Sequence, residues 1–407
     1  MKSIKKNLFF VLFPTVGILT LLFLGAAFGY AFATSRMRAD FRAVSNTETL
    51  RALLHGVDRK QFAQAYNDPN SAEGAMDDFC YSVPTVMSPF VGSAPEPGKH
   101  GNAFINSLQF RAEREVTIPK PALTFRIFIT GGSTAFGSGA PGQDRTIAAY
   151  LKAILEKELT PITKYEYELF TMANPSWAST HERIMIENRL LDLEPDLVIS
   201  FSGNNDVYWG MRGRNVMWFR CSQEEFNWRV LDWAYGVFRS EPMTDVAVPD
   251  ARPVPPSLVA ERLEQNVRLS AFALGMKNIR YVFCLQPTLA VTRKPLVEAE
   301  LKNLRHLRSS DHSILGSNYF SQCYAEIDSR FAGLKIGNFS YVNLANAFDS
   351  INTPDRVFLD SFHFGDKGNA LIARALFDRL RNHLAPSQSY AANSKARATP
   401  EWSLEKP

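Results

Sequence analysis

The sequence predicts an α/β protein, a three-layer fold with a five-stranded parallel sheet and helices on both faces, preceded by one N-terminal transmembrane helix. Three observations carry this expectation. From Thr124 onward, short runs rich in β-branched and aromatic residues alternate with stretches of helical periodicity. The runs are apolar nearly throughout, as in strands buried on both faces of a parallel sheet, rather than alternating apolar and polar. Upstream, Leu8 to Ala33 carry no charged residue; as a helix they extend ~39 Å, more than the ~30 Å hydrocarbon core of a bilayer.

The elements follow in order. Lys2, Lys5 and Lys6 precede the apolar stretch, and Arg36, Arg38 and Arg42 follow it, so flanking charge decides orientation weakly. Its length favours an uncleaved signal anchor over residues 1–40, since a cleavable signal has an apolar region of only about 7–15 residues. Ala31-Phe32-Ala33 does resemble a cleavage site, which keeps cleavage open as an alternative. Residues 41–120 mix short apolar runs with Asn, Pro, Gly and Ser and read as a juxtamembrane stalk and irregular lead-in.

Residues 121–385 hold the α/β domain. Strands are expected at Phe125 to Thr130, Tyr167 to Met172, Leu197 to Phe201, Ile279 to Leu285 and Ser340 to Leu344. Helices are expected at Asp144 to Leu159, Thr180 to Leu193, Pro255 to Met276, Tyr319 to Ala332 and Asp366 to His383. Two insertions, Arg212 to Asp250 with Trp218, Phe219, Trp228 and Trp233, and Thr288 to Asn318, leave the carboxyl ends of the third and fourth strands. Ligands of open α/β sheets bind at those ends; the insertion's aromatics either meet a ligand there or only pack it onto the core. Residues 386–407 are Ser, Ala, Pro and Lys rich and read as a disordered tail.

Composition excludes several classes. Of 407 residues, 45% are hydrophobic and 21% charged, enough apolar material for a sizeable core. A net charge of +4 with no concentrated Lys/Arg stripe gives no support for nucleic acid. Cys80, Cys221, Cys284 and Cys323 show no C-x-x-C spacing, so neither a zinc ribbon nor a thioredoxin-type motif is supported, and no metal or cofactor is expected. Cys284 lies in an apolar run and reads as a core thiol; the other three leave room for one disulfide in an oxidising compartment, with the pair undetermined.

The chemistry-bearing residues fall at strand ends. Gly131-Gly132-Ser133-Thr134-Ala135-Phe136-Gly137 follows the first strand, where glycines permit a sharp turn and a close substrate approach. Gly137 to Gly142 spells G-x-G-x-x-G, but it starts seven residues late, contains Pro141 and has no acidic residue after the second strand, which argues against a dinucleotide site. Asn174-Pro-Ser-Trp-Ala-Ser179-Thr-His-Glu182 follows the second strand and Gly203-Asn204-Asn205-Asp206 the third. Asp360-Ser-Phe-His363 precedes the last helix. Asp and His three apart on one loop place a carboxylate on one imidazole nitrogen and leave the other free for general-base work. Each block alone also has a structural reading: Asn205-Asp206 as a turn, Asp360 as a helix cap. His181-Glu182 lacks a second histidine four residues on, so it is no zinc-protease motif. Arg212 and Arg214 read either as contacts for an anionic substrate or as solvated surface.

In order and strand context, these four blocks resemble the SGNH (GDSL-like) hydrolase and acyltransferase superfamily over about Thr124 to His383. The resemblance implies a flavodoxin-like sheet, Ser133 as nucleophile, His363 as general base and Asp360 as its orienting carboxylate. It implies an oxyanion hole from the Ser133 and Ser179 backbone N–H groups and the Asn205 side chain, with Ser179 standing where the family usually has glycine. Gly132 stands where GDSL members carry Asp. Together with the anchor, the resemblance implies an extracytoplasmic, single-pass membrane enzyme, on the periplasmic side of the inner membrane in a Gram-negative cell. Its bilayer contact would be residues 8–33. Its expected substrate is an acylated small molecule or polysaccharide, such as O-acetyl groups of cell-envelope carbohydrate. Three alternatives stay open: an O-acyltransferase of exopolysaccharide, a catalytically weak binding or assembly component of an envelope polysaccharide machine, and phospholipid as substrate. Neither the acyl acceptor nor the oligomeric state is legible.

Overall fold

A computed structural model describes residues 15–35, 59–72, 75, 83–213, 252–309 and 316–384. The chain divides into two units, Met1–Val57 and Asp58–Pro407. In the first, Thr15–Ser35 is one apolar helix of 21 residues, long and apolar enough to cross a membrane. Residues 8–14 of the expected span lie outside the described residues.

In the second unit a short helix, Arg59–Ala63, precedes two antiparallel hairpins, β1 (Thr85–Ser88) with β2 (Gly92–Pro95) and β3 (Gly98–His100) with β4 (Ala103–Ile105). The main sheet is β5 (Thr124–Gly131), β6 (Glu166–Ala173), β7 (Leu197–Ser202), β8 (Arg280–Leu285) and β9 (Phe339–Asn343), in the order β6-β5-β7-β8-β9 and parallel throughout. This is the expected three-layer arrangement. The helices that matter for the site are α1 (Ser133–Phe136), α2 (Ile147–Glu158), α3 (Ser179–Asn188), α4 (Asn204–Met211), α5 (Pro256–Gly275), α6 (Glu298–Ser309), α7 (Gly316–Ala332) and α8 (Asp366–Leu380).

Period-two side-chain direction splits each strand between two cores. Phe125, Ile127 and Ile129 of β5 pack under α2 and α8, together with Val282 and Cys284 of β8. Phe128 of β5 and Phe283 of β8 face the opposite way, under α3, α5 and α7. All eight residues of β5 are buried. The helix expected from Asp144 begins instead at Ile147, because Thr146 Oγ1 accepts from the Ala149 N–H and caps it there.

Described residues of the lead-in pack onto the α/β unit. Residues from Asp58 cluster with the α/β unit. Phe110 is fully buried with its ring 5.6 Å from that of Phe128, and Arg111 forms a bridge with Thr171 of the edge strand β6. Tyr66 donates to the Gly139 carbonyl. These apolar residues have no periodicity because loops and short hairpins bury them one at a time. Cys284 is a buried free thiol, as expected, and so is Cys323; burial pushes the Cys323 thiol up to about 12. Cys80, Cys221, Arg214, the four insertion aromatics and the tail lie outside the described residues.

Candidate active site

Strand order reverses at β5, whose partners β6 and β7 lead the chain in opposite directions across the sheet, and ligand sites of open parallel sheets form at such a switch point. Register brings the carboxyl ends level: Gly131 pairs with Ala173 on one side and Phe201 on the other. Gly131 has φ +152°, and a Cβ there would lie 2.4 Å from the Phe201 carbonyl oxygen, so only glycine lets the chain leave the strand this close to β7. The next residues turn into α1 with Ser133 at its first position. Arg111, nearly buried, donates from Nη1 to the Phe136 and Gly137 carbonyls at 3.0 Å each and holds the far end of that turn.

Ser133 Oγ lies 2.7 Å from His363 Nε2, and His363 Nδ1 lies 2.7 Å from Asp360 Oδ2. With Nδ1–H donating to the carboxylate, Nε2 keeps its lone pair toward the serine hydroxyl. Asp360 Oδ1 accepts from the backbone N–H groups of Phe362 and His363 at 2.8 and 2.9 Å, so both carboxylate oxygens are engaged. Burial by itself would raise the Asp360 carboxyl; the neighbouring imidazole and these hydrogen bonds outweigh it and hold the group below the ordinary carboxylate value. His363 is 8% exposed, so the serine–imidazole contact is largely shielded from water.

Asn205 sits on the first turn of α4 and donates from Nδ2 to the Trp177 carbonyl at 2.7 Å. A primary amide has two N–H donors, so one remains. A Cβ added at Gly132 would lie 2.3 Å from that Nδ2. The Asn205 amide therefore lies against the Gly132–Ser133 peptide, and it occupies the space a side chain at position 132 needs. This accounts physically for the absence of a side chain at position 132.

Ser179 is placed differently from the expectation. Its N–H donates to Asp206 Oδ2 at 3.1 Å and its hydroxyl to Asp206 Oδ1 at 2.5 Å, while Asn266 Nδ2 donates to Ser179 Oγ at 2.9 Å. The N–H expected at the oxyanion hole is thus held by a carboxylate. The side chain that glycine lacks is what anchors the loop here. Asp206 and Asn266 are the residues sequence reasoning missed. Asp206 is the last residue of a block already singled out, but Asn266 lies on α5, with no local pattern linking it to Ser179.

Beneath this layer is a buried polar cluster. Burial pushes the Asp206 carboxyl up to about 6 against its bonds from Ser179, and burial also raises Glu182, which accepts from Thr130 Oγ1 at 2.6 Å. His181 accepts the Ala178 N–H at Nδ1 and stacks parallel to Trp177. Among the described residues no group of three His, Cys, Asp or Glu side chains is arranged to hold a metal ion.

No family model matches the chain, and no curated protein matches it. Solved structures similar to it include the acetyl xylan esterase AlAXEase, at 16% identity and a TM-score of 0.36, covering 63% of this chain and 100% of that one. A catalytic mutant of Axe2, an acetylxylan esterase from Geobacillus stearothermophilus, is 12% identical with a TM-score of 0.38, covering 65% and 97%. The lipase Lip_vut3 from a goat rumen metagenome is 10% identical with a TM-score of 0.37, covering 64% and 97%.

Proposed function

We propose that this chain is an SGNH-type serine esterase that removes ester-linked acyl groups. One observation carries the reading: Ser133, His363 and Asp360, from two loops 227 to 230 positions apart, are joined by two hydrogen bonds of 2.7 Å in the order a nucleophile, a base and its orienting carboxylate require. His363 Nε2 takes the hydroxyl proton as Ser133 Oγ attacks the ester carbonyl, and Asp360 steadies the imidazolium that results. The Ser133 backbone N–H and the second Asn205 N–H receive the tetrahedral oxyanion; one such donor contributes about 3–4 kcal/mol to the transition state. His363 then protonates the departing alcohol. Water, activated by the same imidazole, releases the acid from the acyl-enzyme.

The substrate reading is an O-acetylated carbohydrate of the cell envelope, met by an enzyme tethered through its N-terminal apolar helix. Half-buried aromatic rings beside the triad support it. Phe362 directly precedes His363, and Tyr208, one turn beyond Asn205, meets it edge to face at 5.7 Å. Trp209 packs against Tyr208 at 5.1 Å. Such rings offer apolar faces to sugar C–H groups.

The test uses the full-length protein in detergent. Wild type should hydrolyse p-nitrophenyl acetate, release acetate from O-acetylated polysaccharide and be labelled by a fluorophosphonate, and Ser133→Ala should lose all three. A well-folded wild type that is neither labelled nor active overturns the reading and leaves a binding role. Transfer of acetyl to an added sugar faster than to water would reassign the chain as an O-acyltransferase.

A further inference from the structure

The catalytic loop is held partly by its own bonds, Leu359 N–H to the His363 carbonyl at 2.9 Å and the Arg356 guanidinium to the Phe358 and Leu359 carbonyls at 3.1 Å each, and partly from outside. Between Asp355 and Ser361 the chain is extended or bent, with no helix and only an isolated bridge, yet it must present Asp360 and His363 to Ser133 within hydrogen-bond distance. The outside support comes from the insertion after β8. Thr288 Oγ1 and the Leu289 N–H donate to the Ser361 carbonyl at 3.1 and 3.0 Å. Asn303 Nδ2 donates to the Leu359 carbonyl at 3.2 Å. At the centre is an ion pair with neither side chain exposed: Lys294 Nζ lies 2.6 Å from Glu300 Oε2.

Every donor and acceptor of that pair has a partner. Lys294 gives its other two N–H groups to the Pro295 and Asp355 carbonyls at 3.0 and 2.8 Å. Glu300 Oε2 also accepts the Val297 N–H at 3.2 Å. Glu300 Oε1 accepts two consecutive backbone N–H groups, Val357 and Phe358, at 3.0 Å each. One oxygen shared by adjacent peptides fixes both peptide planes, two to three residues before Asp360. A buried ion pair adds little stability over well-packed apolar side chains of the same volume. What a buried carboxylate supplies and a leucine cannot is a directed acceptor for those two N–H groups.

Resting on the serine-esterase reading, we propose that Glu300, clamped by Lys294, is a positioning residue that sets the Asp360–His363 geometry. It touches no substrate. The role given to the insertion is to orient two of the three triad residues.

The experiment compares full-length wild type with Glu300→Gln, and with Glu168→Gln as a control. Glu168 forms a buried pair with Arg126 at 2.7 Å, close to the amino ends of β5 and β6 and away from the triad. Glu300→Gln should lower kcat per folded molecule between about tenfold and a hundredfold, the range a displacement near 1 Å produces, with KM within about twofold of wild type, as loss of a transition-state contact alone dictates. Glu168→Gln should lower the thermal midpoint and leave kcat unchanged. If Glu300→Gln does not fold, the Lys294→Met/Glu300→Leu double variant, which leaves no buried charge unpaired and no acceptor for the Val357 and Phe358 N–H groups, is measured in its place and should show at least the same kcat loss. A readout independent of turnover is the low-field proton resonance of His363 Nδ1–H on Asp360, assigned by its disappearance in His363→Ala. It should be present in wild type and Ser133→Ala and shifted or lost in Glu300→Gln. An unchanged resonance with unchanged kcat overturns the proposal, as does an equal kcat loss in Glu168→Gln. An inert wild type that keeps the resonance refutes the esterase reading instead, and the resonance of Glu300→Gln then decides the positioning role.

Discussion

Gly132→Ala tests the oxyanion geometry without touching the triad. The alanine Cβ would stand 2.3 Å from Asn205 Nδ2 and 3.1 Å from the Trp177 carbonyl oxygen, where ordinary contact begins at 3.4 Å. The Asn205 amide must therefore retreat by about 1 Å, a shift that by itself can cost about a hundredfold in rate. It also loses its bond to Trp177 O as it swings. If the donor is lost to the oxyanion outright, the cost is about 10²–10³ in kcat, or roughly 3–4 kcal/mol. Stability should change little. Gly132 has φ −88°, which alanine adopts readily, the group that must move furthest is the end of a side chain, and the Trp177 carbonyl gives by only a few tenths of an ångström. The assay is kcat on p-nitrophenyl acetate beside thermal unfolding, for Gly132→Ala, Asn205→Ala and the double variant. The single variants should each lose at least about a hundredfold, and the double no more than Asn205→Ala alone, because the two changes remove one donor. A Gly132→Ala enzyme within about threefold of wild type, or losses that multiply in the double, would refute the placement of Asn205 in the oxyanion hole.

Two further outcomes follow from the fold. Asp206 titrates near 6 in the folded chain, above its unfolded value, so its contribution to stability is fully present below the unfolded pKa and is lost as pH rises through about 6. In urea unfolding between pH 4 and 8, wild type should lose up to about 3 kcal/mol more than Asp206→Asn, since each pH unit between the unfolded and folded titration points is worth about 1.4 kcal/mol; parallel pH profiles would contradict this. Phe110→Ala should destabilise the α/β unit by about 3–5 kcal/mol through the cavity left against Phe128, with kcat of the folded fraction preserved; an unchanged unfolding midpoint would show that the lead-in is not part of the core.

Much of the candidate site was legible because its parts are local. A strand followed by Gly-Gly-Ser, a loop carrying Asp-x-x-His and an Asn-Asn-Asp turn are each contained in a few residues, and strand order brings them to one edge. The partner of Ser179 was not legible, because the carboxylate that accepts its N–H lies 27 residues away on another element. Glu300 was invisible for the same reason: a glutamate on an amphipathic helix reads as solvated until Val357 and Phe358 arrive from the far end of the chain. The packing of the lead-in was not legible because Phe110, Val91 and Ala94 show no period, and they need none when β5, β6 and α3 cover them.

The sequence by itself determined the alternation of strands and helices, the double burial of β5, and the choice of Ser133, Asp360, His363 and Asn205 as candidates, because periodicity and short spacings are properties of neighbouring residues. Only the tertiary structure decided which N–H groups stay available at the candidate reaction centre, why position 132 has no side chain, and what steadies the Asp360 loop. Those depend on distances between residues far apart in the chain, and a hydrogen bond of 2.7 Å or a Cβ contact of 2.3 Å exists only once the packing of the whole sheet has set them.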